Sequence, residues 1–120
     1  MNYSIGEISE KLHLSIDTLR FYEKEGLIFP SRDSNNRRVY DEKDISWIEF
    51  IKRLKKTGMK ISDMKEYAAL RYRGDETAPL RMSLLQKRYD ELLIELEQTK
   101  KDLNFLKAKI DIYQTMIEDQ

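Results

Sequence analysis

The residues best suited to bind another molecule lie between positions 15 and 40, and the first group of them surrounds Arg20. Thr18 and Tyr22 are four residues apart, so in a helix they share a face while Arg20 projects elsewhere. An arginine can bond the O6 and N7 atoms of guanine or a phosphate, and a tyrosine hydroxyl can bond a phosphate. The alternative is structural: Tyr22 is then a core residue, and Arg20 is a surface residue paired with Glu23.

A second group is the segment 30–40, which is locally basic. Arg32, Arg37 and Arg38 stand there against a single acidic residue, and Asn35 and Asn36 belong to a turn-forming cluster. The whole chain has 22 basic and 22 acidic residues, but a local cluster can contact phosphates without a basic protein around it. An ordinary solvated turn is the alternative.

The sequence offers few residues for metal binding or catalysis. The chain has no Cys, and its one His, His13, has no ligand set around it, so we expect neither a metal site nor a cofactor. Without a nucleophile motif or a Gly-rich phosphate loop we expect no catalytic residue and no enzyme. The lack of Cys, of a membrane-length apolar run and of a signal peptide leads us to expect a cytoplasmic protein with no membrane partner.

Two short helices are predicted to position the first group. Ser4 and Glu7 have the spacing of a capping box for one helix, and Ser15 is placed to cap the next. Two short helices joined by about three residues indicate a helix-turn-helix. The second helix of that motif enters the major groove with its N-terminal residues toward the base edges, and Ser15, Asp17 and Thr18 take those positions.

The second group lies on a predicted β-hairpin, or wing, in which residues 27–29 and 38–40 flank the turn. Asp41 is then placed to cap a third helix that ends at Gly58, and a fourth helix is predicted from about Ile61 to Arg73. Residues 1–74 are therefore predicted to form one winged helix-turn-helix DNA-binding domain, helices three and four included, with residues 75–79 as a linker.

Residues 80–118 are predicted to form one long coiled-coil helix, since this stretch contains neither Gly nor Pro. The apolar a and d positions of its heptads are Met82, Leu85, Tyr89, Leu92, Leu96, Leu103, Leu106, Ile110, Tyr113 and Ile117. Such a stripe needs a partner helix, and a homodimer supplies one most simply; a bundle with helices three and four is the alternative. The predicted fold class is mainly α: a winged helix-turn-helix, a two-helix linker region and a long C-terminal coiled-coil helix.

Several short motifs occur in the order and spacing of the MerR family of transcriptional regulators, which the chain resembles over about residues 3–70. The motifs are Tyr3–Ile8, Ser15–Gly26, Leu27–Pro30, Arg38–Tyr40, Asp44-Ile45 and Phe50–Leu54. The segments 47–52 and 74–77 further resemble the small subgroup associated with aldehyde and electrophile stress, which suggests a stress-response regulator.

The resemblance implies a mechanism. Members dimerise through an antiparallel coiled coil, bind a palindromic operator in a promoter with an overlong spacer, and bend and untwist this double-stranded DNA so that RNA polymerase engages both promoter elements. Carried over by position, it implies that Ser15, Asp17, Thr18 and Arg20 face the groove. It implies backbone contacts, with the wing asparagines close by, for Tyr22, Arg32, Asn35, Asn36, Arg37, Arg38, Tyr40 and, through the start of the fourth helix, Lys60.

The chain departs from the family at two positions. Arg53 stands where the subgroup has a cysteine, so thiol sensing is ruled out, and metal sensing by cysteines is not expected either. Lys60 stands where the fourth helix of the family usually begins with Ser or Thr. Either Ser62 caps the helix instead, or the helix is capped more weakly and Lys60 contacts a phosphate. Candidates to line a cleft for an unidentified effector are Trp47, Tyr67, Tyr72 and Tyr89, with simple helix packing as the alternative.

The leading hypothesis is therefore a dimeric promoter regulator. Two hypotheses of other classes compete with it. One is a coiled-coil adaptor whose N-terminal domain binds protein, which a specific partner without operator binding would favour. The other is an architectural protein that bends DNA without altering transcription.

Overall fold

The chain folds into five α-helices and one two-stranded antiparallel hairpin, as seen in a computed structural model that describes residues 1–120. In chain order the elements are α1 (Ile5–Leu12), α2 (Ile16–Lys24), β1 (Ser31–Arg32), β2 (Arg38–Val39), α3 (Glu42–Lys56), α4 (Ile61–Arg73) and α5 (Ala78–Glu118). The predicted fold class is confirmed. The chain divides into two compact units, Met1–Leu84 and Leu85–Gln120.

Side-chain caps explain where α1 and α3 begin. The Ser4 hydroxyl accepts the Glu7 N–H at 3.1 Å, and the Glu7 carboxylate accepts the Ser4 N–H at 2.9 Å. Asp41 and Asp44 form the same reciprocal pair at 2.9 Å in each direction. The Asp44 N–H holds the pKa of Asp41 below its ordinary value, while burial raises the pKa of Asp44. Because these bonds satisfy N–H groups that a helix start leaves unpaired, both boundaries were predictable.

The core of the first unit lies where α1, α2 and α3 meet, and buried aliphatic side chains from each helix fill it. Ile8 comes from α1, Leu19 from α2, and Ile48 and Ile51 from α3. The Trp47 ring N–H donates to the backbone carbonyl of Leu27 at 2.7 Å. A buried donor without a partner would be costly, so this bond fixes α3 against the segment that follows α2.

The hairpin differs from the prediction in its first strand. β1 is Ser31–Arg32, which pairs with β2 in the register Ser31↔Val39 and Arg32↔Arg38, and residues 27–29 are not a strand. Leu27 and Ile28 are both buried in the core, so their apolar character reflects packing rather than strand pairing. The strand can begin only after Pro30, where the chain leaves the core.

The predicted linker over residues 75–79 is also different in the structure. Asp75–Thr77 form a single 3-10 turn, and α5 begins at Ala78, two residues earlier than predicted, with Pro79 in its first turn. The buried Thr77 hydroxyl lies 2.7 Å from both the Leu70 and the Gly74 carbonyl oxygens. The segment is therefore a packed turn that belongs to the first unit.

The second unit, residues 85–120, is helical almost to its end and has no buried side chain. Pairs one helical turn apart stabilise it, including Lys107 with Asp111 at 2.6 Å and Gln98 with Asp102 at 3.0 Å. None of the helices combines the length and the low charge that a transmembrane span requires.

Candidate nucleic-acid interface

The start of α2 presents a row of polar side chains. Ser15 is the N-cap, and its hydroxyl oxygen accepts the Thr18 N–H at 3.0 Å and lies 2.8 Å from the Thr18 hydroxyl. Asp17 and Arg20 are exposed and lie 3.9 Å apart, at the outer limit of an ion pair. The opposite side of α2 is buried through Leu19 and Tyr22. The polar side chains in the first turns of α2 are therefore accessible, while the opposite face of the helix packs on the core.

The turn before α2 is held by backbone and side-chain bonds. The left-handed conformation of His13, with φ of 54°, ends α1, and the Leu14 N–H donates to the Ser9 carbonyl at 3.1 Å. The Ser9 hydroxyl donates back to the Leu14 carbonyl at 2.6 Å. These reciprocal bonds set the angle between α1 and α2, and with it the direction in which Ser15 and its neighbours project.

Asp33 organises the tip of the wing. Its carboxylate accepts the N–H groups of Asn35 and Arg37, each at 2.9 Å. Asn36 adopts φ of 60°, a left-handed conformation that asparagine tolerates better than most residues. Asn35, Asn36 and Arg37 are consequently exposed on a loop of defined shape.

Glu23 connects the wing to α2, a contact that sequence reasoning missed. Its carboxylate accepts from Arg38 Nε at 3.1 Å and Nη2 at 3.0 Å, and from Arg32 Nη2 at 3.4 Å. The side chains of Arg38 and Glu23 are only 22% and 23% exposed. The bonds to Glu23 raise the pKa of Arg38 above its ordinary value. Glu23 is therefore occupied by the wing arginines, whereas the sequence alternative had paired it with Arg20.

The two tyrosines predicted to contact the DNA backbone are core residues in the free chain. Tyr22 and Tyr40 are each 1% exposed, and burial raises the pKa of both. The Tyr40 hydroxyl is buried and has no hydrogen-bond partner. Tyr22 is thus in the core, as the structural alternative predicted, and the rings of both tyrosines are packed there. A phosphate contact through the Tyr40 hydroxyl therefore requires the surrounding side chains to move. The contact of either hydroxyl with DNA stays a prediction.

Lys60 is exposed and is the N-cap residue of α4, and its side chain makes no cap hydrogen bond. Capping therefore does not shift to Ser62, which lies inside the helix. The N-terminus of α4 therefore lacks a cap from its N-cap side chain, and it carries the positive end of the helix dipole. Together with the lysine ammonium, this end is suited to an anion such as phosphate.

Three of the four aromatic residues singled out for an effector pack together in the first unit. The ring centroid of Trp47 lies 6.0 Å from that of Tyr67 and 6.2 Å from that of Tyr72. The Arg71 guanidinium lies 4.1 Å from the Trp47 centroid, and the Phe50 ring stacks at 5.7 Å. Arg71 and Phe50 are members of this cluster that the sequence prediction lacked. Burial raises the pKa of Tyr72.

The fourth residue of that set, Tyr89, belongs to the second unit, where its side chain is exposed. A shallow cleft of about 480 Å³ beside Trp47 is lined also by Phe50, Arg71 and Ser46. Clusters of His, Asp and Glu able to hold a metal ion are absent from the structure.

Comparison with known proteins gives consistent results. Residues 3–70 match the MerR HTH family regulatory protein domain. An HTH-type transcriptional regulator of Haemophilus influenzae is 35% identical over 116 residues, which is 95% of this chain and 85% of the relative. The HTH-type transcriptional regulator AdhR of Bacillus subtilis is 38% identical over 91 residues, or 75% of this chain and 65% of the relative.

Two solved structures are similar over most of both chains. One is HiNmlR, a MerR family regulator lacking the sensor domain, bound to promoter DNA, with a TM-score of 0.82, 34% identity, and coverage of 96% of this chain and 92% of that chain. The other is a MerR family transcriptional regulator from Listeria monocytogenes, with a TM-score of 0.86, 35% identity, and coverage of 94% and 86%.

Proposed function

This chain belongs to the MerR family of helix-turn-helix transcriptional regulators, and we propose that it acts as a homodimer that binds a palindromic promoter operator and distorts the spacer DNA. The observation that carries the proposal is the exposed polar row at the start of α2, backed by a buried opposite face. A helix with this division can enter the major groove without exposing its core side.

The contacts divide into two kinds. Asp17, Thr18 and Arg20 lie on the first turns of α2 and together offer acceptors and donors to base edges. An arginine on a guanine is the commonest specific contact. Arg37 at the wing tip and Lys60 at α4 are suited to phosphates, which position the protein without reading sequence. The similarity to HiNmlR, a regulator bound to promoter DNA, supports DNA as the ligand.

The dimer is supported by the exposed stripe on α5. Its large apolar members from Tyr89 to Ile117 are between 38% and 66% exposed in the single chain. Apolar surface left in water costs about 25 cal/mol for each Å², so a row of this length is stabilised by a partner helix. A second copy related by a two-fold axis supplies the same stripe, and the two-fold axis then requires a palindromic operator.

Control of transcription then follows from DNA deformation. Two DNA-binding units joined by their α5 helices hold both half-sites at a fixed separation, and DNA whose half-sites are spaced otherwise must bend or untwist to fit. Such deformation costs on the order of 1–6 kcal/mol and is offset by added contacts. RNA polymerase is the partner that binds the promoter with the altered spacer. An effector bound at the cluster around Trp47 would change how the dimer deforms the DNA.

A gel shift with the DNA upstream of the chain's own coding region tests the proposal, at one fixed salt concentration. We expect affinity at least about a thousandfold above that for random duplex. Arg20→Ala should lose discrimination between the two duplexes, by about 1–3 kcal/mol, whereas Arg37→Ala should weaken both duplexes alike. Equal affinity of the unaltered chain for operator and random DNA would refute sequence-specific binding. Transcription in vitro with and without the protein separates a regulator from a purely architectural protein.

A further inference from the structure

A cationic cleft of about 270 Å³ lies between the C-terminal end of α1 and one side of α3. Its polar lining is Lys11, His13, Glu49, Lys52, Arg53 and Lys56, and we name it the α1–α3 cleft. These residues are separate from the proposed DNA contacts, and Arg53 stands where the subgroup that the sequence resembles has a cysteine.

The four lining residues of α3 are spaced so that they share one side of the helix. Lys52, Arg53 and Lys56 follow Glu49 by three, four and seven residues, which is one face at 3.6 residues per turn. Ile51 and Leu54 from the same helix are buried in the core. The core side of α3 therefore fixes the direction of the lining residues, and all three cations point into the same space.

The charge of the cleft is not balanced by the protein. Lys52, Arg53 and Lys56 of α3 face one carboxylate, that of Glu49, and none of these three cations forms an ion pair, whereas the Lys11 ammonium lies 5.7 Å from the centroid of the Tyr3 ring. Arg38 and Lys65 of the same unit, by contrast, are paired with Glu23 and Glu25. A net excess of two positive charges in one concavity, within a chain of zero net charge, attracts an anion.

Lys52 joins the two helices that form the cleft. Its ammonium donates to the Leu12 carbonyl at 2.6 Å, which satisfies an unpaired carbonyl at the end of α1 and fixes α3 to α1. An ammonium has three N–H donors, so two remain for a ligand. Arg53 and Lys56 are exposed and free to turn toward the same ligand.

The cleft also adjoins two of the proposed DNA contacts along the chain. His13 precedes Ser15 by two residues, and Lys56 precedes Lys60 by four. Since consecutive Cα atoms are about 3.8 Å apart, the lining begins within about 8 Å of Ser15, the N-cap of α2. An anion bound there is therefore close to the N-terminal end of α2.

We propose that the α1–α3 cleft binds a phosphate group, and that its position favours a backbone phosphate of the operator; this source rests on the proposed function. Lysine ammonium and arginine guanidinium groups are the usual side-chain ligands of phosphate, and their bonds to it are charge-assisted. A free phosphate or phosphate-bearing metabolite has the same chemistry and is the other source.

The first arm of the test measures duplex affinity of the full chain across a range of salt. Arg53→Gln with Lys56→Gln is compared with Lys43→Gln plus Lys55→Gln, which removes the same charge from exposed positions of α3 outside the cleft. We expect the cleft variant to lose roughly tenfold on operator and random duplex alike and to lower the salt slope by about one. The control variant should change far less. Melting curves of both variants check that each is folded.

The second arm titrates inorganic phosphate into the DNA-free chain and follows the backbone amide resonances of residues 11–13 and 52–56. Loss of duplex affinity in the first arm supports the DNA source. Saturable shifts that the cleft variant abolishes, with duplex affinity unchanged, support the free source. If the cleft and control variants behave alike on DNA and phosphate causes no saturable shift, the inference is overturned. If the unaltered chain binds no operator, the proposed function fails, and the phosphate arm alone decides the cleft.

Discussion

At the scale of single residues, Glu23 determines how two of the basic side chains are presented. Its carboxylate holds Arg38 through two nitrogens and reaches Arg32 as well, across fifteen and nine residues of sequence. Phosphate would compete with Glu23 for the same donors, so the bond orients the wing without neutralising it permanently. Sequence spacing pointed to Arg20 as the partner because only local pairs are visible in a helix pattern.

Glu23→Gln is expected to weaken the discrimination of operator from random duplex about threefold to tenfold. The change leaves two arginines without their carboxylate, which raises non-specific attraction and loosens the wing. Glu25→Gln is the matched control, because Glu25 pairs with Lys65 at 3.2 Å, away from the wing arginines, and loses the same charge. Fluorescence anisotropy with both duplexes measures the ratio; equal ratios for the two variants would contradict a positioning role for Glu23.

Tyr40 provides a stability test that also examines its predicted contact with DNA. Its hydroxyl is buried without a partner, and an unsatisfied buried group costs about 1–3 kcal/mol. Tyr40→Phe should therefore leave the free energy of unfolding unchanged or raise it by about 1 kcal/mol in urea denaturation. Trp47→Phe, which removes a satisfied bond to the Leu27 carbonyl, should lower it by about 1–3 kcal/mol.

A clear fall in stability for Tyr40→Phe would show that the hydroxyl has a stabilising partner. Operator affinity of the same variant addresses the other question. An unchanged affinity means that Tyr40 acts through packing, whereas a loss means that the hydroxyl reaches a phosphate in the complex.

At the scale of elements, the helices were predictable and the wing was only partly so. The caps at Ser4, Ser15 and Asp41 are local signals, and each helix begins one residue after its cap. The first strand was placed too early because Leu27 and Ile28 have the apolar pattern of a strand but fill the core. Burial depends on what packs against a segment, and the Trp47 bond to Leu27 spans twenty residues. No local pattern contains that information.

The same limit applies to the candidate site. The exposed positions on α2 follow from helix periodicity. The burial of Tyr22 does not, because a tyrosine suits either a core or a phosphate contact. The bond from Lys52 to the Leu12 carbonyl joins residues forty apart in the sequence. The α1–α3 cleft depends on such long-range contacts, so local sequence patterns do not predict it.

Helix α4 offers a test of the trade between capping and DNA contact. Lys60→Ser supplies the missing side-chain cap and should stabilise the fold by about 1 kcal/mol, measured by urea denaturation. The same variant should weaken duplex binding and lower the salt slope by about one. Ser62→Ala is the control and should change neither quantity appreciably, since Ser62 is not the cap. Tighter duplex binding by Lys60→Ser would contradict the phosphate role of Lys60.

At the scale of the whole molecule, the account depends on α5 joining two copies. Leu103→Lys with Leu106→Lys places charges at adjacent a and d positions and should convert the dimer into monomers, with weak operator binding as the consequence. Ile94→Lys is the control, because Ile94 occupies the outermost heptad position and is highly exposed. Sedimentation equilibrium at micromolar concentration measures the mass of each variant. A dimer mass retained by the double variant would refute the heptad assignment.

The most direct test of the central claim is selection of binding sites from random duplex DNA, followed by sequencing of the bound fraction. The account predicts an inverted repeat whose two half-sites keep one fixed spacing, because two copies related by a two-fold axis contact one duplex. Recovery of a single half-site without a repeat, or of no enriched sequence at all, would contradict it.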